Sequence, residues 1–171
     1  MNPLLTVLRL IHILGGVYWA GTMFFFVTFL EPSLRSLGPD GGKVMIRLFE
    51  RGYTKVLPAI AIMTVLSGFW MLWILSSGFD ANYMGSSIGM ALSTGGALAL
   101  IALIIGVAFV RPAADRIWAI ARQLGDAKDD ATRAGLMGEM QAARAKTVGG
   151  SRVVFALLIG AVALMAIARY I

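Results

Sequence analysis

The fold class this sequence predicts is an all-α, polytopic membrane protein, a four-transmembrane-helix bundle, and three observations predict it. Four apolar runs, roughly Leu4–Leu30, Leu57–Ser76, Ser86–Val110 and Val153–Ile171, each reach the ~20 residues a helix needs to cross a ~30 Å hydrocarbon layer. None of them holds an Asp or a Glu. The chain is 58% hydrophobic and 14% charged, with a mean hydropathy of +0.80, where a soluble domain carries about a quarter charged residues. Backbone polar groups in lipid must be satisfied within their own segment, so the runs read as helices rather than strands. The 171 residues allow one membrane domain and no separate soluble one.

Charge orients the bundle. The net charge of +6 would suggest nucleic acid in a soluble protein, but here the basic residues sit in two loops. Loop 31–56 carries Arg35, Lys43, Arg47, Arg51 and Lys55, and loop 111–152 carries Arg111, Arg116, Arg122, Lys128, Arg133, Arg144, Lys146 and Arg152. Ser77–Gly85 carries no basic residue and one acid, Asp80. Loops one and three lie on the same side of a four-helix chain, and the positive-inside rule makes that side cytoplasmic. The expectation is an inner (plasma) membrane protein with both termini outside, no cleavable signal peptide and no nucleic-acid partner. Cysteine is absent, which removes disulfides and thiolate metal sites.

Each element has its own signals. Pro32 is expected to stop helix one, and Ser36–Gly42 (SLGPDGG) is turn chemistry rather than a phosphate cradle, since no strand precedes it and no GK[ST] follows. Met45, Leu48, Phe49 and Tyr53 recur at helical spacing among Lys43, Arg47, Arg51 and Lys55, which predicts an amphipathic helix at the headgroup boundary. Pro58 is expected at the start of helix two, where its missing N–H costs nothing. In loop 111–152, Ile117, Ile120, Ala121 and Leu124 form one stripe, and Leu136, Met137, Met140 and Ala143 another. They predict a cytoplasmic helical hairpin between helices three and four, with Asp130 as the N-cap of its second arm and a joint at Gly149–Ser151. Gly85, Gly89, Ser93 and Ala97, with Ala156 and Gly160, are read as close-packing faces within the bundle or toward a second copy. Trp70, Trp73 and Tyr170 are read as interface anchors. No sequence repeat is evident.

Motifs for hydrolysis, nucleotide binding or zinc chemistry are absent, and so are the membrane carboxylates of an ion-coupled pump. One residue stands apart. His12, the chain's single histidine, lies inside the first apolar run with Arg9 one turn before it. An ionisable group within a membrane helix is costly and reads as functional by default. Neutral imidazole ligates haem iron and copper, and Arg9 is placed to meet a haem's propionates, which makes His12 the candidate metal ligand and His12 with Arg9 the candidate cofactor-binding pair. One histidine cannot ligate a haem twice, so a second ligand would be a Met, the His12 of another subunit, or none. The competing reading has His12 hydrogen-bonded to a neighbouring helix and Arg9 snorkelling to the headgroups. Met23, Met63, Met71, Met84 and Met90 invite a copper site but form no MxxM cluster and read as packing.

Leu10–Gly21 (LIHILGGVYWAG), with a His followed seven residues later by Trp and then Gly, resembles CopD-like copper-resistance membrane domains and the small four-helix membrane proteins similar to them. Phe49–Leu72 (FERGYTKVLPAIAIMTVLSGFWML) is similar to helix two of HemJ-type protoporphyrinogen oxidases. The resemblance implies haem b binding at His12 in the second group and copper handling in the first. The chain departs from the HemJ pattern in two places: Ser86–Val110 has no lysine, and Leu30-Glu31-Pro32 stands where a further histidine is expected. The functional expectation is a small inner-membrane protein holding haem or copper through His12, in redox chemistry or cofactor handling. The alternative is a non-catalytic accessory subunit packed against a larger respiratory or photosynthetic membrane complex.

Overall fold

The computed structural model describes residues 3–171 and is all-helical, with no strand among them. The elements are α1 (Pro3–Phe25), α2 (Glu31–Ser36), α3 (Pro39–Glu50), α4 (Tyr53–Leu75), α5 (Ala81–Gly85), α6 (Ser87–Ile105), α7 (Arg111–Asp126) and α8 (Asp130–Ile167). Two π turns, Phe26–Leu30 and Gly106–Val110, join α1 to α2 and α6 to α7 without a break. Four helices are therefore long and apolar enough to span a membrane: Pro3–Ser36, Tyr53–Leu75, Ser87–Asp126 and Asp130–Tyr170. Their outward faces carry Leu10, Leu14 and Val17 on α1, Leu66 and Phe69 on α4, and Ile104 on α6, an apolar surface suited to lipid.

The helices run through several expected stops. Pro32 does not end helix one. The N–H of Glu31 reaches back five residues to the Phe26 carbonyl, and this wider π turn absorbs the proline before the helix continues to Ser36. Pro112 follows the second π turn in the same way, with the Arg111 N–H on the Gly106 carbonyl. Both turns lie in matching Val-x-Phe-x-x-Pro segments, Val27–Pro32 and Val107–Pro112. This local echo is not an internal repeat of the chain. It is too short to stand out until its two copies adopt the same geometry.

Four further expectations are corrected. The amphipathic helix begins at Pro39 and ends at Glu50, because Gly52 adopts a left-handed conformation (φ 87°) that breaks the helix. Helix two then starts at Tyr53 and takes Pro58 inside it. Asp129, not Asp130, caps α8, accepting the backbone N–H of Thr132 at 2.8 Å. No joint forms at Gly149–Ser151, since α8 is unbroken from Asp130 to Ile167.

Packing divides the spans into pairs, α1 with α4 and α6 with α8. They meet in a core of Trp19 and Met23 from α1, Ala61 from α4, Ala102 from α6, and Val154 and Leu158 from α8. The close-packing face of α6 is rotated from the one expected. Ala91, Gly95 and Ala102 are buried, whereas Gly85 and Ala97 are exposed and Gly89 is buried against the preceding turn, at the Tyr83 carbonyl. Ala156 of α8 is likewise exposed, while Ala161 is buried. A second core joins Phe49 of α3 to Ala114 and Ile117 of α7 and Ala143 of α8. The apolar face of α3 thus covers protein, not only a headgroup layer.

Candidate functional site

The first span buries one stripe, Leu8, Gly15, Trp19 and Met23, and His12 lies half-buried on that stripe. Its neighbour is α4. His12 Nδ1 lies 2.8 Å from the main-chain carbonyl oxygen of Thr64. A carbonyl can only accept, so Nδ1 carries the proton and donates, and Nε2 is left with the lone pair. No other hydrogen bond or ion pair engages His12 among the described residues.

Small and hydroxyl side chains allow this approach. A Cβ on Gly68 would lie 2.6 Å from His12 Cε1 and 2.8 Å from Nδ1, so only glycine leaves the imidazole its place. A Cβ on Gly15 would collide with Thr64 Oγ1. The Thr64 hydroxyl turns back to the Ile60 carbonyl at 2.8 Å, and Ser67 Oγ donates to the Thr64 carbonyl at 3.0 Å. That carbonyl therefore collects two side-chain donors, one from each helix. Thr64 and Ser67 are buried and fully hydrogen-bonded, which removes the cost of placing hydroxyls between apolar helices.

Arg9 lies elsewhere. It is exposed, off the buried stripe, and among the described residues no hydrogen bond or ion pair joins it to His12. Of the methionines weighed as copper ligands, Met23 is in the core, and Met63 and Met90 are exposed. No group of three His, Cys, Asp or Glu residues able to hold a metal is found among the described residues. A metal at His12 would take its other donors from methionine, from a bound macrocycle or from a second chain. A haem, which needs one or two axial ligands, fits this donor set better than a copper ion held by one chain alone.

Two cavities flank the bundle core. One is an open groove of about 770 Å³ along α1 and α4, lined by Leu8, Leu66 and Trp70 among others. The other is a narrow inner cleft of about 70 Å³ beside the π turns, walled by Trp19, Phe26 and Phe49 and reaching Arg111 and Ser151. His12 lines neither. The inner cleft is too narrow for a porphyrin, so a haem on His12 would sit at the periphery of the bundle. Sequence reasoning found His12 but missed Thr64, Ser67 and Gly68. The signal available was T-x-x-S-G, a hydroxyl and glycine cluster in the middle of an apolar run. Comparison with family models, curated proteins and solved structures gives no match for this chain.

Proposed function

We propose that this chain is a multi-pass inner-membrane protein that binds haem b, or copper, through Nε2 of His12, in redox chemistry or cofactor handling. The observation that carries the reading is the hydrogen bond from Nδ1–H to the Thr64 carbonyl. Ligating histidines are commonly held this way, because a carbonyl on one nitrogen fixes the tautomer and the ring plane and raises the basicity of the other. With one histidine per chain, ligation of a haem by two imidazoles would take two copies and give one haem per two chains. The distribution of Lys and Arg supports an orientation with both termini outside and the α7–α8 arms in the cytoplasm as a helical hairpin. The resemblance of Leu10–Gly21 to CopD-like domains and of Phe49–Leu72 to helix two of HemJ-type proteins supports the same reading.

The same hydrogen bond favours a second reading, an accessory subunit in which His12 only ties α1 to α4. One substitution separates the two. In His12→Asn the amide nitrogen takes the place of Nδ1 and still donates to Thr64, while the Nε2 ligand is gone. Visible spectra and metal analysis of protein purified in native lipid, with and without this substitution, test the proposal. A Soret band or stoichiometric copper that disappears in His12→Asn, at an unchanged unfolding temperature, is the expected result. Wild-type protein that is colourless and metal-free would overturn the cofactor role and leave the tether.

A further inference from the structure

The four apolar stretches end at one level. There the Tyr53 ring stacks on Phe26, Glu31 reaches Arg152 at 3.5 Å, and Gly150 lies against Val110. Cations gather at this rim: Arg35 one turn beyond Glu31, Arg51 and Lys55 on either side of the start of α4, Arg111 and Arg152. The rim's carboxylates are already engaged, Glu31 by Arg152 and Asp115 by Arg111. On α3, Lys43 pairs with Asp40 and Arg47 with Glu50. Arg35, Arg51 and Lys55 are exposed, and among the described residues no carboxylate oxygen lies within 4.0 Å of them. Arg144 of α8 adds its charge behind them, lying over Gly42 of α3, where a Cβ would come within 2.9 Å of its guanidinium.

Other acids stand too far away to neutralise this rim. Asp126, Asp129 and Asp130 cluster at the turn between α7 and α8. The 16 residues of α7 put that turn roughly 24 Å from Arg111, well beyond the ~10 Å over which charges act at 0.1 M salt. Leu37 and Val56, close to Arg35 and Lys55, are exposed as well, so apolar contact is on offer beside the charges. A free phosphate or an acidic peptide would use the charges alone, whereas a phospholipid at the end of a membrane span uses both. We propose that this rim is a binding surface for the head groups of anionic phospholipids, with Arg35, Arg51 and Lys55 facing the phosphates. The surface rests on reading the four long helices as membrane spans and does not involve His12.

The test is electron spin resonance of the full-length protein in phosphatidylcholine vesicles carrying trace spin-labelled phosphatidylglycerol or phosphatidylcholine. The motion-restricted signal counts lipid held at the protein surface. One cation beside an anionic lipid layer is worth about fivefold in affinity. Phosphatidylglycerol should therefore be favoured by about fivefold or more at low salt, and the preference should fade at about 1 M salt. Arg51→Gln combined with Lys55→Gln should reduce it to about twofold or less. Lys128→Gln combined with Arg133→Gln removes the same charge near the far turn and should leave it unchanged. All four side chains are exposed, so neither pair of substitutions disturbs the packing. Equal restriction of the two lipids, or an equal fall in both variants, overturns the surface and leaves the spans in place. Absence of any restricted lipid overturns the spans and the surface together. Self-association that Asp126→Asn with Asp130→Asn abolishes, without a lipid preference, would assign the rim to the acidic turn of a second copy and also overturn the proposal.

Discussion

The two helix pairs are joined by different chemistry. Between α1 and α4 the contact is polar at its centre: an imidazole donates across the interface, hydroxyls satisfy the same carbonyl, and two glycines leave the room. Between α6 and α8 no side-chain hydrogen bond crosses the spans among the described residues, and the contact includes Gly95 against the Ala161 carbonyl and Ala102 in one core with Leu158. In lipid the hydrophobic effect does not press helices together, so close packing alone can hold the second pair. A membrane hydrogen bond adds only about 0.6 kcal/mol on average, so stability alone does not explain a histidine in the first. The difference teaches that, among the described residues, only the α1–α4 pair carries polar groups that close packing does not require.

The sharpest way to break this comparison is to fill the space the imidazole uses. Gly68→Val places a side chain within 2.6 Å of His12 Cε1, and the ring must leave the Thr64 carbonyl. A loss of about 2–3 kcal/mol is expected, the upper range for overpacking, with loss of any chromophore held by His12. Thermal unfolding in nanodiscs measures it. Gly96→Val, where a Cβ meets nothing within 4 Å, is the control and should stay within about 0.5 kcal/mol of wild type. Equal behaviour of the two variants would mean that the polar contact does not constrain the fold.

A smaller effect is expected at the other pair. A Cβ on Gly95 meets Met165 Cγ at 3.1 Å and the Ala161 carbonyl at 3.2 Å. The methionine is flexible and yields, but the backbone of α8 does not, so Gly95→Val should cost about 1 kcal/mol. Any spectral signature of His12 should survive it, because this contact lies on α6 and α8. A change in the spectrum of Gly95→Val would show the pairs to be coupled and erase the distinction between them.

How much of this was legible in the sequence follows from the physics of each signal. The four spans were, because hydropathy over about 20 residues is a sum that local detail cannot reverse. Helix boundaries were less so. Pro32 carries the usual stop signal and Pro58 the usual start signal, and nothing local announces that a π turn absorbs the first or that the second sits inside α4. The face of α6 was misread because Gly85, Gly89, Ser93 and Ala97 satisfy a four-residue spacing as well as Ala91 and Gly95 do. When nearly every residue is apolar or small, the pattern has little contrast between faces. His12 stood out because one ionisable group in an apolar run is rare, whereas its acceptor is a main-chain carbonyl, which no sequence displays. The inner cleft needed six helices and both π turns to converge and had only the faint Val-x-Phe-x-x-Pro echo to mark it.

The smallest effect concerns the far end of the α6–α8 pair, where α8 begins in a solvated turn. Asp129 accepts the Thr132 backbone N–H, and that bond, helped by the Thr132 hydroxyl, holds its carboxyl below the ordinary carboxylate value. A lowered folded-state pKa means the cap contributes fully above the ordinary value and fades as pH falls through the lower one. Amide exchange at Ala131–Arg133, corrected for intrinsic rate, should therefore speed up in that acid window, while amides around the buried Ala102 serve as reference. Asp129→Asn keeps an N-cap acceptor without a titrating group, so its α8 terminus should lose this pH dependence. Persistence of the same acid fraying in Asp129→Asn would place its cause elsewhere. If protection at Ala102 fell with it, the turn and the membrane-spanning part of α8 would open as one unit, and the α6–α8 pair would depend on its cap as well as on its packing.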